Sequence, residues 1–158
     1  MNPVHLHLAL NHVPVLGVVF ALCLLLFASI RKSRELTRVS FGALLLVAVF
    51  AAPVYITGEP AEDAVKNLPG VTEAVIEPHE EAAEFAFAGT VALGGVSLLW
   101  ILLFRGDREV PAWARLSTLA LGIAVAASML WTANLGGQIR HTEIRSGSAP
   151  ALLKHDDH

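Results

Sequence analysis

The sequence predicts an all-α integral membrane protein: a four-helix transmembrane bundle with both termini on the outer side of the membrane. Three observations predict it. Hydrophobic residues make up 54% of the 158 and charged residues 16%, with a mean hydropathy of +0.59; an average soluble domain has about 45–50% and about 25%. Four stretches are each close to the roughly 20 apolar residues that a helix needs to cross a bilayer core. Seven of the eleven Lys and Arg residues cluster in two of the connecting segments, and that bias orients a membrane chain.

The spans run over about 4–30, 39–56, 78–104 and 112–134. Each is too long for a strand and lacks period-two alternation. In lipid the backbone must satisfy its own hydrogen bonds, which selects helices. Span one does not read as a cleaved leader. It has no basic start and no small-x-small site, and Arg31-Lys32-Ser33-Arg34 follows it as a stop-transfer signal. Pro14 lacks an N–H and crowds the carbonyl of Leu10, so a kink is expected near His12.

The basic segments hold Arg31, Lys32, Arg34 and Arg38 after span one, and Arg105, Arg108 and Arg115 around the start of span four. They belong on the cytoplasmic side of the membrane. The outer loop, 57–77, should hold a short amphipathic helix over Ala61–Leu68, with Pro60 in its first turn. Glu77-Pro78 reads as the start of the third helix, which begins above the membrane at His79 and enters it near Glu84. Residues 1–146 form the bundle domain, and 147–158 read as a flexible polar tail.

Some classes are excluded. Low charge with high hydrophobicity excludes disorder. Cys23 is alone, which excludes a disulfide framework. A net charge of −3 speaks against a nucleic-acid partner. Partners are then the bilayer itself and other membrane subunits or further copies of the chain.

Chemistry is expected at the outer face, because all seven histidines fall there: His5, His7, His12, His79, His141, His155 and His158. His12 lies two turns inside span one, where a polar ring is expensive unless it faces protein, water or a ligand. The alternative is an imidazole bonded to a nearby carbonyl. His5 and His12, seven apart, share one face; His7 and Asn11, four apart, share another. His79 lines up with Ala83, Ala86, Thr90 and Ser97, a small or polar stripe that should face the bundle. Glu80 and Glu81 suit a helix N-terminus, while Glu84 is the deepest carboxylate and the candidate proton acceptor. In span four Ala120, Ala124, Ala127, Ser128 and Asn134 share a broad face. Gly136-Gly137 then either ends the helix or admits another backbone. Arg140 and His141 follow.

Helical bundles build cofactor sites from facing helices. The expected site gathers His5, His12, His79 and His141, with Asn11 and Arg140, around a b-type haem. The metal ligands would be His12, His79 and His141, and Arg140 or Arg145 would pair with propionates. Copper lacks its soft ligands here, and neither H-E-x-x-H nor C-x-x-C-H occurs. A quinone site is one alternative. A zinc or iron site is another, with Glu59, Glu62, Asp63, Glu80 and Glu84 supplying oxygens. A cofactor-free accessory subunit of a larger membrane complex is the third. No nucleophile elbow points to a hydrolase.

The segments His5-x-His7-x-x-x-Asn11-His12-x-Pro14, Tyr55-Ile56-Thr57-Gly58-Glu59-Pro60-Ala61-Glu62, Glu77-Pro78-His79-Glu80 and Asn134-Leu135-Gly136-Gly137-Gln138-Ile139-Arg140-His141 resemble small four-helix bacterial membrane proteins of unknown function. The resemblance covers most of the chain and implies the fold above, with no activity attached. A looser likeness to four-helix cytochromes b implies haem held between helix histidines. Those proteins usually carry histidines at both membrane faces, whereas this chain has them at one. The likeness therefore implies a single outer site serving an electron-transfer assembly.

Overall fold

The computed structural model describes residues 3–141 and 144–145; the tail from 147 onward, with His155 and His158, lies outside the described residues. The described chain is all-helical. Its elements are α1 (Pro3–Leu10), α2 (His12–Arg31), α3 (Arg34–Ile56), α4 (Gly58–Val65), α5 (Glu73–Leu103) and α6 (Ala112–Arg140). The α1–α2 pair, α3, α5 and α6 supply four helices long and apolar enough to cross a membrane. They pack in a closed ring: α2 on α3, α3 on α5, α5 on α6, and α6 back on α2.

Each boundary has a local cause. The first span is interrupted at Asn11, three residues before Pro14 and beside the Leu10 carbonyl that Pro14 cannot bond. Between α2 and α3 only Lys32 and Ser33 remain outside helix, with Lys32 in the left-handed region at φ 51°. Ser33 caps α3, its hydroxyl accepting from Leu36 N–H at 3.3 Å. This cap starts α3 at Arg34, five residues earlier than expected, so Arg34 and Arg38 lie in helix rather than loop.

Two expectations in the connecting region are corrected. The short helix runs from Gly58 to Val65 rather than from Ala61 to Leu68, although Pro60 does sit in its first turn. The third long helix starts at Glu73, not at Pro78, which lies inside it. Buried Ile76 pins that extra turn to the bundle. The carbonyl that Pro78 leaves unbonded belongs to Ala74, and Ala74 and Pro78 line a cavity of about 250 Å³ together with Gln138 and Arg145. Water can reach the carbonyl there. At 31 residues α5 is ~46 Å long, longer than a bilayer core. Its five carboxylates all fall between Glu73 and Glu84, and an uncharged run follows from Phe85 to Leu103.

The core holds Val18, Ala21, Leu25, Phe41, Leu44, Leu93, Ala114 and Val125. Five buried hydroxyls sit among them: Thr37, Ser40, Thr90, Ser97 and Thr118. Each donates to the carbonyl four residues back on its own helix, at 2.6–2.8 Å. They therefore add small cross-section without leaving an unpaired polar group. The outward surface is apolar, with Phe20, Ile30, Ile56, Phe85, Leu116 and Ile123 each more than three-fifths exposed. So extensive an apolar surface suits lipid rather than water.

The stripe Ala83, Ala86, Thr90 and Ser97 faces inward as expected, with the last three buried. Ala120, Ala124, Ala127 and Asn134 are exposed, and the buried α6 face is Ala114, Thr118, Gly122, Val125 and Met129. Close packing elsewhere rests on glycine. A Cβ on Gly94 would collide with Ala48 Cβ, a group that cannot swing away.

Gly94→Ala should therefore push α3 off α5 and cost about 1–3 kcal/mol. Gly95→Ala, which meets nothing within 4 Å, should be neutral or slightly stabilising. Unfolding in detergent compares the two, and equal stability would contradict the packing.

Candidate functional site

Four elements meet where α1 leans on α3 and α4. His7, on α1, directs Nδ1 to the carbonyl of Val54 at 3.1 Å and to the hydroxyl of Thr57 at 3.3 Å. Val54 lies in the last turn of α3, where carbonyls lack partners within the helix. The imidazole N–H is therefore a cap supplied by a different segment. Gly58 begins α4 beside this ring: a Cβ there would lie 3.8 Å from His7 Cε1.

His79, on α5, directs Nδ1 to the carbonyl of Thr132 on α6 at 3.0 Å. Gly136 stands one turn beyond Thr132. A Cβ on it would lie 3.0 Å from His79 Cε1, so a side chain there would crowd the ring. The glycine pair thus admits a neighbour and does not end the helix, which runs on to Arg140.

A carbonyl only accepts, so both bonds place the proton on Nδ1. In the neutral rings each Nε2 then carries a lone pair. No hydrogen bond to either Nε2 is formed among the described residues. The rings are near enough for His7 and Glu62 to act electrostatically on His79.

Glu62 on α4 and Glu80 on α5 are close enough for their carboxyls to interact. A direct bond between them would need a proton on one partner. Lys66 lies 2.8 Å from Glu62 and 3.3 Å from Asp63. Hydrogen bonds to those two carboxylates raise the Lys66 ammonium above the ordinary lysine value. Asn11 completes the group. Its Oδ1 is buried and has no hydrogen-bond partner among the described residues. Its amide N–H bonds the His7 carbonyl at 2.9 Å, which sets it one helical turn from His7.

The expected site residues divide sharply. His79 and Asn11 are in the cluster. His12 is exposed, and its Nδ1 bonds the carbonyl of Leu8 on its own chain segment at 3.0 Å; the alternative weighed for it is the one observed. His5 is exposed. His141 and Arg140 are exposed at the end of α6. Among the described residues no three His, Cys, Asp or Glu side chains are grouped to hold a metal ion. The set His12, His79 and His141 is therefore not assembled, and the outer acids do not complete one. Glu84 is exposed and acts on Glu80 from one turn away; the carboxyls that interact between elements are Glu62 and Glu80. Arg145 donates to the carbonyls of Gln138, Ile139 and Gly70, closing the end of α6 over the loop rather than meeting an acid.

Next to Val54, Tyr55 stacks on Phe87 with ring centroids 4.5 Å apart, closing the α3–α5 seam. His79 is bordered by Gly136 on the α6 side.

The sequence places His7 on one face with Asn11 but not in the site, and it offers Glu62 and Glu80 as oxygen ligands for a metal, not as a pair. The signal that points to His7 is its four-residue spacing from Asn11, one face of the first helix. The partner of that face lies 47 residues away at Val54, which spacing alone does not reveal. No protein-family model, curated protein or solved structure matches the chain, so the chemistry of the site rests on its own geometry.

Asn11→Leu should leave the ligand-free protein as stable as before, or more stable by about 1 kcal/mol, because it removes an unpaired buried acceptor and breaks no bond. Chemical unfolding in detergent measures this. A clear loss of stability would mean that Oδ1 is bonded.

Proposed function

We propose that the protein is a multi-pass subunit of a redox assembly in a bacterial cytoplasmic membrane. Its histidine end faces outward and exchanges protons for the assembly. The observation that carries the reading is the anchoring of two imidazoles by backbone carbonyls of other helices, near two carboxyls, Glu62 and Glu80, that interact and can share a proton. Imidazole takes up and releases protons near neutral pH, and a shared carboxyl proton is a ready donor or store. The groups come from three elements, α1, α4 and α5, so the arrangement is a product of folding rather than of local sequence.

Orientation follows from charge. The opposite end carries Arg31, Lys32, Arg34, Arg38, Arg105, Arg108 and Arg115, the excess that marks a cytoplasmic face. Electrons would pass through partner subunits. A contact with such partners is favoured by the outward α6 face of Ala120, Ala124 and Ala127, small residues that allow close helix approach in lipid. That face equally supports the second reading, an accessory subunit without a cofactor of its own.

The test is infrared difference spectroscopy of the protein in lipid. Below neutral pH the wild type should show a protonated-carboxyl C=O stretch that fades as pH rises, because deprotonation leaves two like charges side by side. Glu80→Gln keeps a hydrogen-bond donor beside Glu62 but should abolish that band, and Glu84→Gln should retain it. A wild-type spectrum without the band, or a band that follows Glu84, would contradict the reading.

A further inference from the structure

The end of the bundle away from the histidines carries an unbalanced charge. Its two basic segments, 31–38 and 105–115, hold seven Lys and Arg residues against three acids, Glu35, Asp107 and Glu109. The fold brings these segments together. Arg34 Nη1 lies 3.1 Å from Asp107 Oδ1, and Arg38 donates to the carbonyls of Phe104 and Gly106. The turn between α2 and α3 therefore lies beside the loop between α5 and α6.

Both reversals are tight. Lys32 N–H donates to the Ser29 carbonyl and Ser33 N–H to that of Ala28, with Lys32 at φ 51°. In the loop, Arg108 N–H donates to the Arg105 carbonyl at 3.4 Å, with Gly106 at φ 64°. Each reversal thus presents two exposed cations, Arg31 with Lys32 and Arg105 with Arg108. Arg34, Arg38 and Arg115 are engaged by Asp107 and by backbone carbonyls. The other four are not paired with any acid among the described residues. Arg105 has one side-chain bond, from Nε to the Leu102 carbonyl of its own segment.

Four like charges on adjacent turns repel one another unless a counter-charge is shared among them. Their depth says what supplies it. Exposed Ile30 directly precedes Arg31, exposed Leu102 and Leu103 precede Arg105, and exposed Trp113 and Leu116 open α6. The cations begin where the outward apolar surface stops. In a membrane-spanning chain that is the level of the headgroups, where tryptophan also concentrates. A headgroup phosphate accepts from guanidinium and ammonium donors, and its acyl chains continue over the apolar surface below. A soluble acidic partner makes no use of that continuity.

We propose that this end of the bundle is a binding surface for the headgroups of anionic phospholipids, held by Arg31 and Lys32 on one turn and by Arg105 and Arg108 on the neighbouring loop. The surface is separate from the histidine end and does not depend on the proton-exchange reading. It gives the remaining cations of this end a role that closing the loops does not.

The test places the full chain in phosphatidylcholine bilayers with a trace of spin-labelled phosphatidylglycerol or spin-labelled phosphatidylcholine. The motionally restricted fraction of each label measures its association with the protein. Phosphatidylglycerol should be favoured about fivefold or more, the scale of one cation at an anionic lipid. Salt at about 1 M, with a Debye length of about 3 Å, should remove most of that preference. Lys32→Gln combined with Arg108→Gln, one from each turn, should lower it by about half or more. Arg140→Gln, at the far end of α6, should leave it unchanged. Equal association of the two labels, a preference untouched by the double substitution, or one lost through Arg140→Gln would overturn the inference. Release of the phosphatidylglycerol label by inorganic phosphate at matched ionic strength would overturn it in favour of a free-anion site. Release by soluble polyglutamate would overturn it in favour of an acidic protein partner. If the double variant fails to fold, the wild-type preference and its salt dependence still decide.

Discussion

An imidazole N–H that leaves water must find an acceptor, and at this end of the bundle two of them find backbone carbonyls on other helices. His7 reaches Val54 and His79 reaches Thr132. These bonds do more than tie segments together. Each fixes the ring's tautomer and turns the opposite nitrogen into an acceptor. The acceptors are available for physical reasons. Val54 is in the final turn of α3, where the helix cannot use its own carbonyls. Thr132 is approachable because Gly136, one turn on, has no side chain to fill the space.

The other end of the bundle uses the same orphan carbonyls differently. Arg38 donates to Phe104 and Gly106 at the end of α5, and Arg115 donates to Val110 ahead of α6. Arg34 pairs with Asp107, an exposed contact worth little by itself. Cations at helix C-termini are favourable for the helix dipole as well as for hydrogen bonding. Basic residues that set orientation in a membrane therefore also close the loops at that end. The histidine end has one comparable device in Arg145, and there imidazoles as well as a guanidinium serve the carbonyls.

The architecture was legible because its signals are local and long. Twenty-residue apolar runs, a proline at position 14 and a stop-transfer cluster each act within one segment. The inward stripe from His79 to Ser97 was legible for the same reason, since helical periodicity needs no knowledge of neighbours. Boundaries were less so: Ser33 starts α3 early through a single cap, and buried Ile76 extends α5 past a proline that reads as a start. The site was half legible. His79 and Asn11 were found, but His12 satisfies itself on Leu8, four residues back, and needs no ligand to explain its depth. The anchoring of His7 and the pairing of Glu62 with Glu80 were missed because the partners arrive from α3, α4 and α5. A contact between segments tens of residues apart leaves no spacing to read. The outward α6 stripe shows the same limit from the other side: small residues mark a close approach without saying whose.

The central claim is that His7 and His79 are held as Nδ1–H tautomers with an unprotonated Nε2. Long-range ¹H–¹⁵N correlation spectra of ¹⁵N-histidine-labelled protein in nanodiscs, assigned with His→Gln variants, report this directly. The account predicts that above neutral pH both rings show a protonated, hydrogen-bonded Nδ1 and a bare Nε2, a pattern that His12, bonded to the Leu8 carbonyl, should share. Nε2–H tautomers at both His7 and His79, or rapid tautomer exchange there, would contradict it.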